Sequence, residues 1–435
     1  MIAEILATGN EVLSGAIADT NAAHIAQVLE AAGIEVRRHT CVGDDLDHIA
    51  AAVTEICARA DVLLVTGGLG PTGDDLTTEA VARAAGKKLV LDPEAEHSMK
   101  TYFVQRKRSM QPSDAKQAML PEGAQCIVNA IGTAPGFMLA MGHCHVFVMP
   151  GVPHEMKQML ETGVLPRIET LQGGGRLYAA SRILTVFGLP ESTVGERMAG
   201  FDAAFPSMRY GIRVKFPEIF IKVSTRQPDA RTAQDLAVQA CQWVKKQVGE
   251  SVFSDAGLAL EAEVGRLLVS AKATVAVAES CTGGLIADLL TGVPGSSDYF
   301  LFSGVTYANQ AKVDVLGVSP QTIETHGAVS EETVKEMADG VRRVAGATFG
   351  LATSGIAGPS GGTREKPVGT VCIGLAGPDG VQTSRVCLSF QNRSMNKRLF
   401  AFLALETLRR KLLQLYYSKS EWQRKNESDF DPDTD

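Results

Sequence analysis

The sequence has no CxxC pair, no long apolar run and few aromatic residues, and each shortage excludes a class of protein. Its eight cysteines are scattered singly, so neither a zinc ribbon nor a redox dithiol motif is present. No apolar stretch approaches the roughly 20 residues that a membrane-spanning helix needs. The net charge of −7 gives no basic footprint for nucleic acid or an anionic membrane. The chain opens on an apolar strand, MIAEILATG, without a basic leader, and we expect a reduced, cytoplasmic protein.

The remaining composition is typical of an α/β protein with more than one domain. At 435 residues the chain is too long for one ordinary core, so we expect two or three domains. Apolar residues make up 45% and charged residues 21%, which is an ordinary globular balance. The 43 glycines suit the tight strand-to-helix turns of an α/β fold.

Short apolar runs alternate with helical patterns at both ends of the chain. In residues 1–172, strands are predicted at Ala3–Thr8 and Asp61–Thr66, with a helix at Thr20–Ala32 between them. The run DVLLVT is nearly all apolar, as in a parallel strand buried on both faces. The same alternation resumes in residues 255–417. The sequence therefore predicts an α/β protein with two doubly wound βα domains.

Residues 173–254 read differently, as a small α+β module with the order βαββα. The glycines at 173–175 suggest a linker before it. The order resembles a KH-like unit, but no GxxG loop lies between its helices, so we do not infer RNA binding. Residues 418–435 are acidic and nearly devoid of apolar side chains, which predicts a disordered tail.

Three segments of the carboxy-terminal domain concentrate reactive groups. In the first, Glu279–Gly284 (ESCTGG), a serine follows an apolar strand and precedes a helix. Helix-terminal N–H groups there can stabilise an oxyanion or hold a phosphate. The alternative is a Ser or Thr helix cap with glycines that form a tight turn.

The second segment, Val305–Lys312, reads as a strand end, a cap at Asn309 and a first helical turn that contains Lys312. The positive end of the helix dipole and partial burial both disfavour a charged lysine, which makes a usable base. The alternative is an ordinary surface lysine. The third segment, Thr353–Gly362 followed by Lys366–Thr370, has glycines that let the backbone approach a phosphate, although it lacks the GK[ST] ending of a P-loop. Its alternative is a plain surface loop.

Taken together, ESCTGG, GVTYANQAK, HGAVSEE, SGIAGPSGG and KPVGTV occur in the order and spacing of the CinA (competence/damage-inducible protein) family, which the whole chain resembles. The resemblance implies that the carboxy-terminal domain is a nicotinamide mononucleotide deamidase in pyridine nucleotide salvage, which needs no cofactor. It implies Ser280 as nucleophile, Lys312 as its base and Tyr307 as a hydroxyl that assists proton transfer. The residues implied to bind substrate are Thr282, Gly283, Gly284, Gly355, Ala357, Gly358, Gly361 and Arg393.

Two features of this domain leave questions for the structure. The family usually carries Phe-x-Gly-Asp-Arg before the last helix, whereas this chain reads Phe390-Gln391-Asn392-Arg393, which puts the placement of Arg393 in doubt. Cys281 is a rival nucleophile, because with Glu279 and Lys312 it would complete the residue types of a nitrilase-like amidase. The resemblance favours serine, and a strand-end cysteine is often simply buried.

The amino-terminal domain has a second candidate site. Thr66–Asp75 (TGGLGPTGDD) and Thr8–Asn21 each join a strand to a helix, so both loops are expected at the carboxyl edge of one parallel sheet. Glycine-rich turns suit a pyrophosphate, and Asp74 and Asp75 are predicted to hold a divalent metal that bridges it. The alternative is an ordinary turn and helix cap. The predicted ligand-binding residues are Glu11, Asp19, Asn21, Gly67, Gly68, Gly70, Asp74 and Asp75.

The TGG-led loop resembles that of the molybdopterin-binding fold shared by MogA-like and MoeA-like proteins. For this domain the CinA family implies hydrolysis of ADP-ribose with a divalent metal such as Mg, Mn or Co. The competing hypothesis is a molybdopterin-like ligand bound without catalysis. As partners we expect small-molecule nucleotides and a second copy in a homodimer, with no nucleic acid and no membrane.

Overall fold

The computed structural model describes residues 1–388 and 390–428. The chain forms two compact units. One contains Met1–Ser181 and Ser224–Val238, and the other contains Arg182–Val223 and the chain from Gln239 onward. The chain passes between the units within two strands, at 181/182 and 223/224, and within one helix, at 238/239, and not in the glycines at 173–175, where the sequence predicts a linker. Within the described residues no helix is long and apolar enough to cross a membrane.

The amino-terminal region is a six-stranded sheet with helices on both faces. Its order is β2-β1-β3-β8-β7-β6, and a two-stranded sheet pairs β4 with β5. The elements are β1 (Ile2–Thr8), α1 (Asn10–Leu13), α2 (Thr20–Ala31), β2 (Glu35–Val42), α3 (Leu46–Cys57), β3 (Val62–Thr66), α4 (Thr77–Ala84), β4 (Leu89–Leu91), α5 (Pro93–Gln105), β5 (Met119–Pro121), β6 (Gln125–Ile127), β7 (Gly136–Met141), β8 (Cys144–Met149), α6 (Pro153–Met159) and α7 (Leu165–Gln172).

The middle strands of this sheet are buried on both faces. Every residue of β3 is buried, as the run VLLVT predicts. Leu63 and Val65 belong to one apolar cluster, whereas Val62 and Leu64 belong to another on the opposite face. Strands β2, β1, β3 and β8 are parallel to one another. Strand β7 pairs antiparallel with β8, and β6 pairs antiparallel with β7. The sheet is therefore mixed, with its parallel part where the sequence places the ligand loops.

The middle module has the predicted βαββα order, with a second short helix after the first helix and one short strand at its end. Its four-stranded sheet has the order β10-β11-β9-β12. The elements are β9 (Tyr178–Val186), α8 (Glu191–Arg197), α9 (Phe201–Ala204), β10 (Met208–Lys215), β11 (Glu218–Gln227), α10 (Ala230–Val248) and β12 (Val252–Ser254). Phe187 and Phe253 lie in the same apolar cluster as the carboxy-terminal helices, and the Phe187 ring lies 5.8 Å from that of Phe402.

The carboxy-terminal region is a five-stranded sheet of order β14-β13-β15-β16-β17. The elements are α11 (Leu260–Ala271), β13 (Val275–Glu279), α12 (Leu285–Thr291), β14 (Phe300–Val305), α13 (Asn309–Leu316), α14 (Pro320–His326), α15 (Glu331–Ala345), β15 (Phe349–Gly355), β16 (Thr370–Gly377), β17 (Gly380–Cys387) and α16 (Arg393–Ser428). Apolar clusters lie on both faces of the sheet. Strands β13, β14 and β15 are parallel, whereas β16 and β17 form an antiparallel extension.

The last helix is longer than the sequence predicts. The predicted disordered tail begins at residue 418, but α16 continues to Ser428. The first part of the predicted disordered tail is thus helical, and residues 429–435 lie outside the described residues. At its other end the helix is capped by Asn392, whose side-chain oxygen accepts from the backbone N–H groups of Ser394 and Met395.

Candidate functional site

The three carboxy-terminal segments meet at one edge of the sheet. Strand β13 lies between β14 and β15, and Glu279 is in register with Val305 and Thr353. Ser280 and Thr306 therefore begin two neighbouring turns, and Ser354 lies beside them near the end of β15. This arrangement follows from parallel pairing, because parallel strands end at the same edge.

At that edge a lysine and a serine are in contact. The Lys312 ammonium donates to Ser280 Oγ at 3.2 Å, and Lys312 is 1% exposed. It also donates to the backbone carbonyls of Thr306 at 2.8 Å and Tyr307 at 3.2 Å. Among the described residues none of its hydrogen-bond partners is a carboxylate. Burial without a counter-charge lowers the pKa of Lys312 below its ordinary value.

The helix that carries Lys312 begins differently from the prediction. Asn309 is the first helical residue rather than the cap; the cap position is Ala308, which supplies no side-chain bond. Lys312 donates its own backbone N–H to the Ala308 carbonyl, so it ends the first turn. A backbone hydrogen bond therefore places Lys312 in the helix without a side-chain cap. The carbonyls that follow β14 accept from its ammonium.

Glu279 occupies the donors that the sequence assigns to an oxyanion or a phosphate. Its fully buried carboxylate accepts from the backbone N–H groups of Gly284 at 2.9 Å, Ile286 at 3.1 Å and Ala287 at 2.9 Å. These amides lie at the start of α12, and each already has a hydrogen-bond acceptor within the protein. The expected oxyanion site at these N–H groups is therefore wrong, because the preceding carboxylate folds back onto them. The same bonds fix the turn that carries Ser280.

Tyr307 and Arg393 lie at the mouth of this site. The Tyr307 side chain is 60% exposed, and its hydroxyl accepts from the Arg393 guanidinium at 3.1 Å. The Tyr307 hydroxyl thus contacts Arg393, whereas the role in proton transfer that the resemblance implies requires contact with Ser280 or Lys312. The guanidinium also donates to the Gly358 carbonyl at 2.7 Å. Arg393 therefore reaches the glycine-rich loop although the glycine of the family pattern is missing.

The remaining predicted substrate-binding residues separate into two groups. Thr282 is fully buried, and its hydroxyl bonds to Thr353 at 2.8 Å, so its side chain does not face a ligand as predicted. Gly283 and Gly284 have φ of 62° and 92°, which only glycine adopts readily. Gly355, Ala357, Gly358 and Gly361 lie at the end of β15 and in the loop that follows it, where Arg393 donates to the Gly358 carbonyl and Asn396 donates to the Ala357 carbonyl at 3.0 Å.

Cys281 points away from this chemistry. It is 4% exposed and belongs to the apolar cluster under the sheet. Burial raises the pKa of its thiol to about 12, so the thiolate is scarce at neutral pH. The carboxylate of Glu279 is already bonded to three backbone amides. The nitrilase-like trio is therefore not assembled.

The amino-terminal loops enclose a cleft of about 580 Å³, a volume ordinary for a small-molecule site. All eight predicted ligand-binding residues line it: Glu11, Asp19, Asn21, Gly67, Gly68, Gly70, Asp74 and Asp75. The loops follow β1 and β3, which are adjacent and parallel, so the predicted edge is confirmed. Pro150–Pro153 and Glu155, which follow β8, complete the lining.

Several of these residues also have structural roles. Asp19 caps α2 by accepting from the Ala22 backbone N–H at 2.8 Å. The Asn21 amide donates to Thr66 Oγ1 at 3.1 Å and to the Gly151 carbonyl at 2.7 Å. A Cβ on Gly67 would collide with the Thr8 backbone, so this glycine is required by packing alone. At Asp74 and Asp75 the turn part of the alternative holds, since Asp75 accepts from the Thr72 backbone N–H at 2.9 Å, but the cap part is wrong, because the cap position of α4 is Leu76 and has no side-chain bond.

The cleft is acidic. Six carboxylates line it, from Glu11, Asp19, Asp44, Asp74, Asp75 and Glu155, and no lysine, arginine or histidine is among its described lining residues. Thr72 donates its hydroxyl to both Asp74 and Asp75, and this bonding lowers the pKa of Asp74 below its ordinary value. Across residues 1–388 and 390–428, no three His, Cys, Asp or Glu side chains converge on a metal-sized site. The predicted metal site therefore offers two carboxylates, those of Asp74 and Asp75, which lie on one loop.

Sequence reasoning overlooked three polar residues near the two sites. Lys397 lies one helical turn after Arg393, a spacing that could have revealed it. Asn396 is fully buried and ties α16 to the glycine-rich loop. Gln117 lines the amino-terminal cleft and donates to the Leu69 carbonyl at 3.0 Å, but it comes from a segment without any motif.

Comparison with known proteins covers nearly the whole chain. Residues 4–170 match the family described as "Probable molybdopterin binding domain", residues 181–254 the "Damage-inducible protein CinA KH domain", and residues 258–412 the "CinA C-terminal domain". The predicted fold class of two α/β domains and a KH-like module is thereby confirmed.

Full-length relatives agree with these matches. A CinA-like protein of Desulfosudis oleivorans is 96% identical over 95% of this chain and 100% of its own length. A CinA-like protein of Desulforapulum autotrophicum is 50% identical over 94% and 98%. The solved structure of a competence/damage inducible protein from Agrobacterium tumefaciens is 39% identical and covers 35% of this chain and 94% of that one, with a TM-score of 0.33. With two full-length relatives of this name, the chain belongs to the CinA family, as its motifs predicted.

Proposed function

We propose that the carboxy-terminal domain hydrolyses the amide of nicotinamide mononucleotide to nicotinic acid mononucleotide and ammonia. The observation that supports this reaction most directly is the contact between Lys312 Nζ and Ser280 Oγ. An amide needs a strong nucleophile, a base to activate it and a proton for the leaving amine. A buried lysine beside a serine supplies all three, as in other Ser-Lys hydrolases.

The reaction then runs in two halves. Ser280 Oγ attacks the carbonyl carbon while neutral Lys312 takes its proton; the C–N bond then breaks, and the proton passes from Lys312 to the departing ammonia. Water next attacks the acyl ester and gives a proton to Lys312, and the ester C–O bond breaks. Ser280 recovers that proton, and the carboxylic acid product gives up its own proton to solvent and leaves as the carboxylate. Arg393 and the glycine-rich loop hold the nucleotide during both halves.

The test is ammonia release by the purified full chain from nicotinamide mononucleotide, with nicotinamide and nicotinamide riboside as comparison substrates. We expect turnover of the mononucleotide and little of the other two. Absence of ammonia from all three substrates would contradict the proposal. Equal turnover of all three would support the amidase chemistry but contradict the nucleotide assignment.

We further propose that the amino-terminal cleft hydrolyses the pyrophosphate of ADP-ribose with a divalent metal. The supporting observation is the charge of the cleft, since six carboxylates without a lining cation would repel a bare pyrophosphate. The donor set fits a hard cation held by one or two carboxylates and completed by phosphate oxygens. Asp74 and Asp75 are the residues that would hold it. When bound, the metal neutralises charge and polarises the phosphoryl group.

The measurement that separates hydrolase from passive binder is product analysis with ADP-ribose. AMP and ribose 5-phosphate should form with magnesium, manganese or cobalt and not with a chelator. Asp74→Asn and Asp75→Asn should abolish this activity and leave ammonia release at Ser280 unchanged. If ADP-ribose binds but no AMP appears with any of the metals, the domain binds a molybdopterin-like or nucleotide ligand without catalysis.

A further inference from the structure

A second cation lies close to the serine turn. Lys397 is on α16, and its ammonium is so near Gly283 that a Cβ placed there would be 3.3 Å from Nζ. Gly283 has no side chain and a φ of 62°, so the turn presents bare backbone toward the lysine. Lys397 thus lies beside the turn that carries Ser280.

Within the described part of the chain, the ammonium of Lys397 has no hydrogen bond or ion pair, although the residue is half-buried. This differs from the lysines around it: Lys312 has three acceptors, Lys366 donates to the His326 carbonyl at 2.8 Å, and Lys411 pairs with Asp379 at 3.0 Å. A half-buried ammonium is stabilised by an anionic or hydrogen-bonding partner. The protein itself supplies none for Lys397 among those residues.

Lys397 and Arg393 share one face of α16. Residues four apart on a helix are neighbours, so the two cations project side by side from its first turns. Arg393 reaches the glycine-rich loop at the Gly358 carbonyl, and Lys397 reaches the turn at Gly283. The two cations therefore border the mouth of the Ser280 site on its two sides.

We propose that Lys397 and Arg393 together bind the phosphate monoester of the substrate at this mouth, so that Lys397 determines specificity for the nucleotide over the nucleoside. This inference rests on the deamidase function proposed above. A dianionic phosphate has enough oxygens for a guanidinium and an ammonium at once. The ring amide of the same molecule then extends toward Ser280 from a fixed anchor.

The contact is made alike in ground and transition states, so its loss should appear in KM and not in kcat. One charge-assisted hydrogen bond corresponds to about a 10- to 100-fold change in affinity. We expect Lys397→Met to raise KM for nicotinamide mononucleotide by about that factor, with kcat within about threefold. Turnover of nicotinamide riboside, which has no phosphate, should not change.

The experiment uses the full chain and three variants. Lys397→Arg should restore most of the affinity, because the charge is kept. Lys335→Met, which removes an exposed lysine on α15, is the matched control and should leave KM unchanged. Circular dichroism and melting temperature verify that each variant is folded, and Lys397→Gln replaces Lys397→Met if the latter is not. Calorimetric titration with nicotinamide mononucleotide and with inorganic phosphate measures binding independently of turnover.

The outcomes distinguish the two proposals. If the wild-type chain releases no ammonia but binds inorganic phosphate, and Lys397→Met abolishes that binding, the phosphate site stands and the deamidase does not. If the wild-type enzyme is active and Lys397→Met keeps its KM and its ratio of mononucleotide to riboside turnover, the role of Lys397 is wrong. An equal loss for both substrates would also overturn it, because that loss would be structural.

Discussion

Replacing Lys312 by methionine removes the amine but keeps an unbranched side chain of similar length, so this variant tests the proposed base. A positioned general base contributes about 10²- to 10⁴-fold to the rate, which is about 3 to 5 kcal/mol at 1.36 kcal/mol per tenfold. Because Lys312 both takes the Ser280 proton and returns it to ammonia, we expect the upper part of that range. Ser280→Ala should cost as much, since members of one catalytic unit fail together.

The pH dependence of the wild-type enzyme is part of the same prediction. Only the neutral amine accepts a proton, and burial lowers the pKa of Lys312 from the ordinary 10.5. The value of kcat/KM should therefore rise with pH through that lowered pKa and level off below pH 10.5. The residual activity of Lys312→Met should lack this rise. Ammonia release from nicotinamide mononucleotide between pH 6 and 10 measures both curves, with Lys335→Met as the matched control.

Stability supplies a readout that does not depend on turnover. The folded pKa of Lys312 lies below the unfolded one, so between the two values the unfolded chain binds more protons. The free energy of unfolding should rise with pH across that window, and Lys312→Met should lose this rise. A variant within tenfold of the wild-type rate, or one with the same pH-dependent rise in kcat/KM, would refute the assignment of Lys312 as base.

Three further predictions follow from the site and its core. Cys281→Ala should keep substantial deamidase activity, whereas Ser280→Ala loses it; the reverse result in an ammonia assay would identify the thiol as nucleophile. Glu279→Gln should lower kcat by at least about tenfold with KM little changed, because an amide cannot accept three backbone bonds; unchanged kcat would show that the turn holds without them. A fragment of residues 258–417 should release ammonia from nicotinamide mononucleotide. It should melt several degrees lower than that region does in the full chain, because Phe187 and Phe253 are lost from its core. A folded but inactive fragment would show that the site needs other parts of the chain.

The sequence predicted the structure best where a motif directly follows a strand. Alternating strands and helices predicted two βα domains, and parallel pairing then placed ESCTGG beside the turn that leads to Lys312. The antiparallel strand β17 was not predicted, because an edge hairpin with one exposed face has a weaker apolar pattern than a buried parallel strand. The actual partners of the site residues were also hidden from the sequence. The carboxylate of Glu279 turns back onto α12, and the Thr282 hydroxyl meets Thr353, which is 71 residues away.

The packing of Phe187 and Phe253 against the carboxy-terminal helices has a consequence for how this region unfolds. Two family descriptions meet between residues 254 and 258, yet these two aromatic side chains from the KH-like module lie in one apolar cluster with Phe402 and Leu405. A core unfolds as a cooperative whole, since partial opening would expose its remaining apolar surface to water. In a calorimeter the KH-like module and the carboxy-terminal sheet should therefore melt in one shared transition.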